Sequence, residues 1–299
     1  MYALLKSGLK SAIRALPPVH RLYRQRNQAL VERDRAVAQL EHERRSARGQ
    51  RCFHRGTTED QARALRLFRL FSPVTLTSVP MIRVGRIGDG GYVMADDFSN
   101  IQVAFSFGIG KETSWDSDIA QRGIKVFQYD HSVDGPPLPN SRFVFHKKMI
   151  GAEQTKTSES IASSLCEHGT TDTRNVLKID VEGSEWIVFD AASPSDLQRL
   201  SQIVCEFHDF DQIDDEIWYE RALSVMTKLR SIFEIVHVHA NNYGHLGILY
   251  NVPFPLVLEA TFVNKTGHSF APNSKTFPTP LDTPNLTGFA DIFLGTFQF

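Results

Sequence analysis

Cysteine is scarce and scattered. Cys52, Cys166 and Cys205 are the only three, and no CxxC pair occurs. An odd, dispersed set excludes a disulfide framework and a zinc ribbon, and it suits a reducing cytoplasm. Long apolar runs are also missing: no uncharged stretch approaches the roughly 18 residues of a membrane span. Lys6, Lys10 and Arg14 interrupt the first apolar residues, so no secretory leader is expected. Net charge is nearly absent at −1, yet its distribution is uneven. Residues 1–55 hold 13 Lys/Arg against 4 Asp/Glu, which leaves 20 against 30 in the remainder. A basic tail thus precedes an acidic body, and no nucleic-acid partner is expected.

What is present fits a globular chain. With 299 residues, 41% hydrophobic and 22% charged, there is room for one large α/β domain and an appendage. The appendage is residues 1–55. Leu5, Leu9, Ile13 and Leu16 share one face of a short helix whose other face carries Lys6, Lys10 and Arg14. Pro17-Pro18 ends it, and a second, highly charged helix is expected over residues 19–48. This N-terminal helical extension reads either as a peripheral contact with an anionic membrane or a protein partner, or as a plain solvated tail. The domain proper is expected over residues 56–299.

The centre of that domain is residues 101–130, IQVAFSFGIGKETSWDSDIAQRGIKVFQYD. Residues 103–107 read as a buried strand, and Gly108-Ile109-Gly110 as a tight turn. Residues 113–122 read as a helix capped by Thr113 or Ser114, and residues 124–129 as a second strand that delivers Asp130. Glycines let the backbone approach a ligand closely, and an acid about 20 residues later sits at the tip of the neighbouring strand, where it can take ribose hydroxyls. Phe107, Gly108, Gly110 and Asp130 are therefore candidate cofactor contacts. After Gly110 the chain reads Lys-Glu-Thr, without the third glycine of a dinucleotide cradle. An adenosine ligand without a diphosphate, such as S-adenosylmethionine, fits better than NAD.

Downstream, strands are expected over residues 142–146, 175–179, 203–207, 233–239 and 256–264, with helices over 157–168 and 214–229. Two final strands without an intervening helix imply a mostly parallel sheet with one antiparallel member. Three strands end in polar pairs: Asp180/Glu182, Glu206/His208 and His237/His239. Side chains at i and i+2 share a face, and ligands in open parallel sheets sit beyond the strands' carboxyl ends. If the two strands are neighbours, Asp180 and Glu206 stand roughly 5 Å apart. Asp180, Glu206 and His208 are candidates for a general base. Alternatively, Asp180 and Glu206 hold a divalent cation, helped by Asn241 or a histidine. The plain readings are that Glu182 caps a helix near Ser184 and that His237 and His239 are satisfied core histidines. DGGYV, residues 89–93, marks a turn that either folds over the cofactor mouth or closes an edge hairpin. The segment 266–299, rich in Pro, Thr and Phe, has no legible assignment.

KIDVEGSEW, residues 178–186, resembles the signature of the FkbM-type methyltransferases. DGGYV, SFGIG with SWD, and CEFH at residues 205–208 are similar to the methyltransferase-like 24 relatives, over a core of about residues 80–265. The resemblance implies a Rossmann-like class I methyltransferase fold, a seven-stranded sheet whose last strand is antiparallel. It also implies S-adenosyl-L-methionine as cofactor, and methyl transfer to the oxygen of a saccharide or another small metabolite. Gly108 and Gly110 then match the cofactor loop, Asp130 the ribose acid, and Asp180 the acid beside the transfer site. The family's acid-x-Gly-x-Gly loop reads Ser106-Phe-Gly-Ile-Gly here. A Rossmann oxidoreductase and a non-catalytic nucleotide-binding scaffold are the competing readings.

Overall fold

The computed structural model describes residues 53–172 and 174–299. The helices expected within residues 1–48, with the membrane or partner contact assigned to them, lie outside that range.

Helix α1, Thr58–Phe68, starts at a reciprocal cap in which Thr57 and Asp60 bond each other's backbone N–H groups. An antiparallel hairpin follows, β1 (Met81–Val84) and β2 (Tyr92–Ala95). Next come β3 (Val103–Phe107), helix α2 (Ser114–Gln121), β4 (Lys125–Tyr129), β5 (Phe143–His146) and helix α3 (Ile161–His168). The chain continues through β6 (Asn175–Ile179), helices α4 (Glu185–Ala191) and α5 (Pro194–Leu197), β7 (Leu200–Phe207), helix α6 (Glu216–Ile232) and β8 (Phe233–Ala240). A second hairpin, β9 (Leu246–Leu249) and β10 (Val252–Pro255), leads to β11, Leu258–Asn264.

Seven of these strands form one sheet in the order β8-β11-β7-β6-β3-β4-β5. Only β11 runs against the rest, wedged between β7 and β8. This is the sheet the sequence pattern and the resemblance implied. Several local expectations need correction. The strand expected over 203–207 begins at Leu200, because it gains a bulged start against Asn175. The helix expected from residue 157 begins at Ile161: Ser158–Glu159 first pair with Met149–Ile150, and Ser160 with Ser163 then closes a cap. Thr113 occupies the cap position of α2, but its side chain makes no capping bond.

Alternation along the strands divides the core. Phe105, Phe107, Phe127, Tyr129, Leu177, Ile179, Ile203, Cys205 and Phe207 pack on one face with Trp186, Phe210 and Trp218. The intervening Ala104, Val126, Val176 and Val204 face Trp115 and Ile119 of α2 and Tyr92 and Met94 of the first hairpin. Each period-2 strand therefore contributes to both layers, as a sheet covered on both faces requires. Polar residues continue the second face toward the strands' carboxyl ends. Gln128, Ser106 and Lys178 lie in register across β4, β3 and β6, with Asp116 of α2 accepting from Gln128 Nε2 at 2.7 Å.

Candidate active site

The strand ends converge on a cavity of about 340 Å³ whose wall includes Asp89, Tyr92, Gly108, Gly110, Asp130, Lys178, Asp180 and Glu182. Two glycines shape its floor. Gly108 has φ +75°, and a Cβ there would stand 1.7 Å from the Asp180 carbonyl oxygen. Backbone can approach backbone this closely only because the position has no side chain. The approach is fixed by Asp180 N–H donating to Phe107 O at 3.0 Å and by Gly108 N–H donating to Tyr129 O at 2.9 Å. Lys178, 4% exposed, donates from Nζ to Gly108 O at 2.6 Å. A buried ammonium thus holds the turn from below while its charge faces Asp116 and Asp180.

Asp130 reaches back to that turn. Its Oδ2 accepts from Gly110 N–H at 2.8 Å, and its Oδ1 accepts from Ser132 N and Oγ, both at 2.7 Å. Burial pushes its carboxyl upward, but the bonds from Ser132 and Gly110 outweigh burial and lower it, so it is ionised. A carboxylate has about four acceptor positions, so three are committed and one is left over, or two if Ser132 Oγ rotates away. At the head of α2 the backbone N–H of Ser114 is already bonded to Glu112 Oε1 at 2.6 Å. A carboxylate fills the place a diphosphate would take, which disfavours a dinucleotide on the same grounds as the missing third glycine.

Asp180 and Glu206 are neighbours, as the strand register predicts, because Ile179 pairs with Cys205. They are not equivalent. Asp180 lies on the cavity wall, whereas Glu206 and His208 stand behind it and line no part of the cavity. Burial raises Asp180 to about 6, and Lys178 and His208 pull it back only in part. Burial and the adjacent Asp180 charge raise Glu206 to about 8. Burial opposes charge on His208, but its bonds to Glu185 and Glu206 prevail and raise it well above the ordinary range. The His208 imidazole is held by Glu185 Oε1 on Nδ1 at 3.1 Å, and its Nε2 is 3.3 Å from Glu206 Oε1. Trp186 Nε1 donates to His208 O at 2.9 Å, so the signature's tryptophan also fixes this loop.

Other expected residues take different roles. Phe107, expected as a cofactor contact, does not line the cavity: its O accepts from Asp180 N–H, and its ring is 1% exposed and meets Tyr129 edge-on in the core. Asn241, considered as a cation ligand, instead donates to Glu206 Oε1 at 2.9 Å. Glu182 does not cap α4. No side chain caps it; Glu185 instead holds the preceding loop, accepting from Val181 N and Gly183 N, while the Glu182 side chain is 88% exposed. His237 and His239 are satisfied, each with one partner from the unassigned tail. His237 Nε2 meets Asp282 at 2.8 Å, and His239 bonds Glu259 at 3.0 Å and Asp291 at 3.1 Å. The 89–93 segment is both hairpin and cavity wall. Tyr92, whose role the pattern did not disclose, lies 5.9 Å below the Lys178 ammonium. Burial and the surrounding carboxylates keep its phenol protonated.

A sheet of this strand order, with a glycine turn answered by an acid on the next strand, defines an open α/β fold with a seven-stranded, mostly parallel sheet. Residues 100–237 match the model of the methyltransferase FkbM domain. No curated protein matches the chain. Among solved structures, a Streptococcus thermophilus protein provisionally assigned as a hemolysin is 12% identical with a TM-score of 0.34, covering 55% of this chain and 59% of that one. A Listeria monocytogenes protein provisionally assigned as an S-adenosylmethionine-dependent methyltransferase is 13% identical with a TM-score of 0.34, covering 57% and 94%. Precorrin-6y C5,15-methyltransferase of Geobacter metallireducens is 12% identical with a TM-score of 0.29, covering 71% and 95%. Overlaps this shallow transfer no function.

Proposed function

We propose that the chain transfers a methyl group from S-adenosyl-L-methionine to a hydroxyl oxygen of a saccharide or similar small metabolite. The observation that carries this reading is one cavity bounded by the Gly108–Gly110 turn, an ionised Asp130 and a wall-lining Asp180 with a raised pKa. Asp130 takes a ribose hydroxyl on its remaining acceptor position. With Ser106 in place of the usual loop acid, Asp89 and Glu112 supply the cavity-wall carboxylates for the cofactor's ammonium end.

In the transfer, the acceptor oxygen forms a bond to the methyl carbon as the carbon–sulfur bond breaks. The electron pair goes to sulfur, which leaves as a neutral thioether. The hydroxyl proton goes to Asp180 Oδ, the candidate base that touches the cavity, while Glu206 and His208 set its charge from behind. The chemistry needs alignment and a base rather than a covalent nucleophile.

Free Cys166 and Cys205 accord with a reducing cytoplasm. No helix among the described residues is long and apolar enough to cross a membrane. The basic residues 1–55 are assigned to peripheral docking on an anionic membrane or a partner.

Calorimetric titration with S-adenosylmethionine and with NAD, on wild type and Asp130→Asn, tests the proposal. The expected result is micromolar S-adenosylmethionine binding that weakens at least tenfold in the variant. Labelled methyl from the cofactor should then appear on a member of a sugar panel. Binding of NAD in place of S-adenosylmethionine, or of neither, overturns the reading.

A further inference from the structure

We infer that Asp180 and Glu182, on the cavity wall, and His208 behind them form a binding site for a divalent cation. One ligand atom from each lies within 4.8 Å of the others, so a single ion can reach all three. This is a different donor set from one built on Asp180, Glu206 and Asn241, since Asn241 is bonded to Glu206.

Three independent features favour an ion here over a chance meeting of acids. First, the set contains an imidazole whose orientation is already fixed. Glu185, fully buried, holds His208 Nδ1 and leaves Nε2 turned toward Glu182 and Glu206, at 3.8 and 3.3 Å, where a cation would displace the proton that Nε2 otherwise carries. A carboxylate on the far nitrogen is the usual support of a ligating histidine, because it selects the tautomer and stiffens the ring. Second, Asp180 Oδ1 is shut off from solvent and has no hydrogen-bond partner among the described residues. A sealed acceptor without a donor is costly, and a cation removes that cost. Third, the site has an open side. The Glu182 carboxylate is 88% exposed, and Asp180 and Glu182 both line the cavity, so waters or acceptor oxygens can complete the coordination.

One nitrogen and two carboxylate oxygens suit Mn²⁺ and Zn²⁺, and hold Mg²⁺ through its preference for oxygen. The function of the ion rests on the methyl-transfer reading above. There it draws an acceptor hydroxyl against Asp180 and lowers that hydroxyl's pKa, which favours an acceptor with two adjacent hydroxyls that chelate the ion.

The test uses the full chain stripped of metal with a chelator and titrated with Mn²⁺, with free Mn²⁺ read by electron paramagnetic resonance. One Mn²⁺ per chain is expected. Glu182→Gln is a surface change that leaves the fold intact, and it should weaken binding at least tenfold; Asp180→Asn should abolish it. Glu153→Gln, at an exposed acid elsewhere, should change nothing. No bound Mn²⁺ up to millimolar concentration, or unchanged affinity in Glu182→Gln and Asp180→Asn, overturns the inference. S-adenosylmethionine titrated into the same samples separates the two claims. Cofactor without Mn²⁺ sinks the cation site alone, and Mn²⁺ without cofactor sinks the methyl-transfer reading and leaves the site standing.

Discussion

Alanine at Gly108 and at Gly110 should give sharply different proteins, although the two glycines share one turn. Both have positive φ, +75° and +50°, so either substitution costs about 1–2 kcal/mol of backbone strain. At Gly110 nothing lies within 4 Å of the added carbon, and the strain is the whole cost. At Gly108 the carbon would fall 1.7 Å from Asp180 O, a backbone atom with no rotamer to yield. The β3 and β6 ends must part by more than 1 Å, by the difference from an ordinary contact of about 3.5 Å. That displacement strains the Asp180 N–H bond to Phe107 O and the Lys178 bond to Gly108 O. Adding overpacking of about 1–3 kcal/mol and loss of one or two hydrogen bonds gives a total of about 3–6 kcal/mol. Urea unfolding followed by circular dichroism should show a small loss for Gly110→Ala and a loss several times larger for Gly108→Ala, with cofactor binding gone in the latter. Equal stability of the two variants would refute the close approach of the turn to Asp180.

Lys178→Met should destabilise the fold by about 3–5 kcal/mol, because it strands buried Asp116 and Asp180 without their cation. If the variant folds, the acid limb of its pH–rate profile should move to higher pH. In wild type, methyl transfer should fall as pH drops below about 6, where Asp180 takes up a proton; a flat profile from pH 5 to 8 would remove Asp180 as base. His239 is raised to about 10 against burial by Glu259 and Asp291, with Asp282 also contributing. Its folded value exceeds its unfolded one, so the stabilisation is complete below about pH 6.5 and is lost as pH rises through 10. The melting temperature of wild type minus that of His239→Gln should therefore shrink over that interval. A constant difference would contradict the charged pairing with the tail.

The short-range features of this protein were legible in its residues. Alternation in VAFSF, the glycine turn and the spacing to Asp130 specify strand, turn and acid, because each depends on backbone geometry within a few residues. The mostly parallel sheet with one antiparallel member also followed, since β-α alternation and a terminal strand pair leave few topologies. The side chains that define the site were less accessible. Asp180, Glu206 and His208 all stood as candidate bases, and only the folded structure puts the first on the cavity wall and the other two behind it. The ties between His208 and Glu185, His237 and Asp282, and His239 and Asp291 span 23, 45 and 52 residues. No local periodicity encodes such pairings. They exist because the folded chain carries its tail across the strand ends, where buried imidazoles require partners. Local sequence therefore determined the scaffold and the glycine turn, and tertiary structure decided which acids line the cavity and which are held behind it.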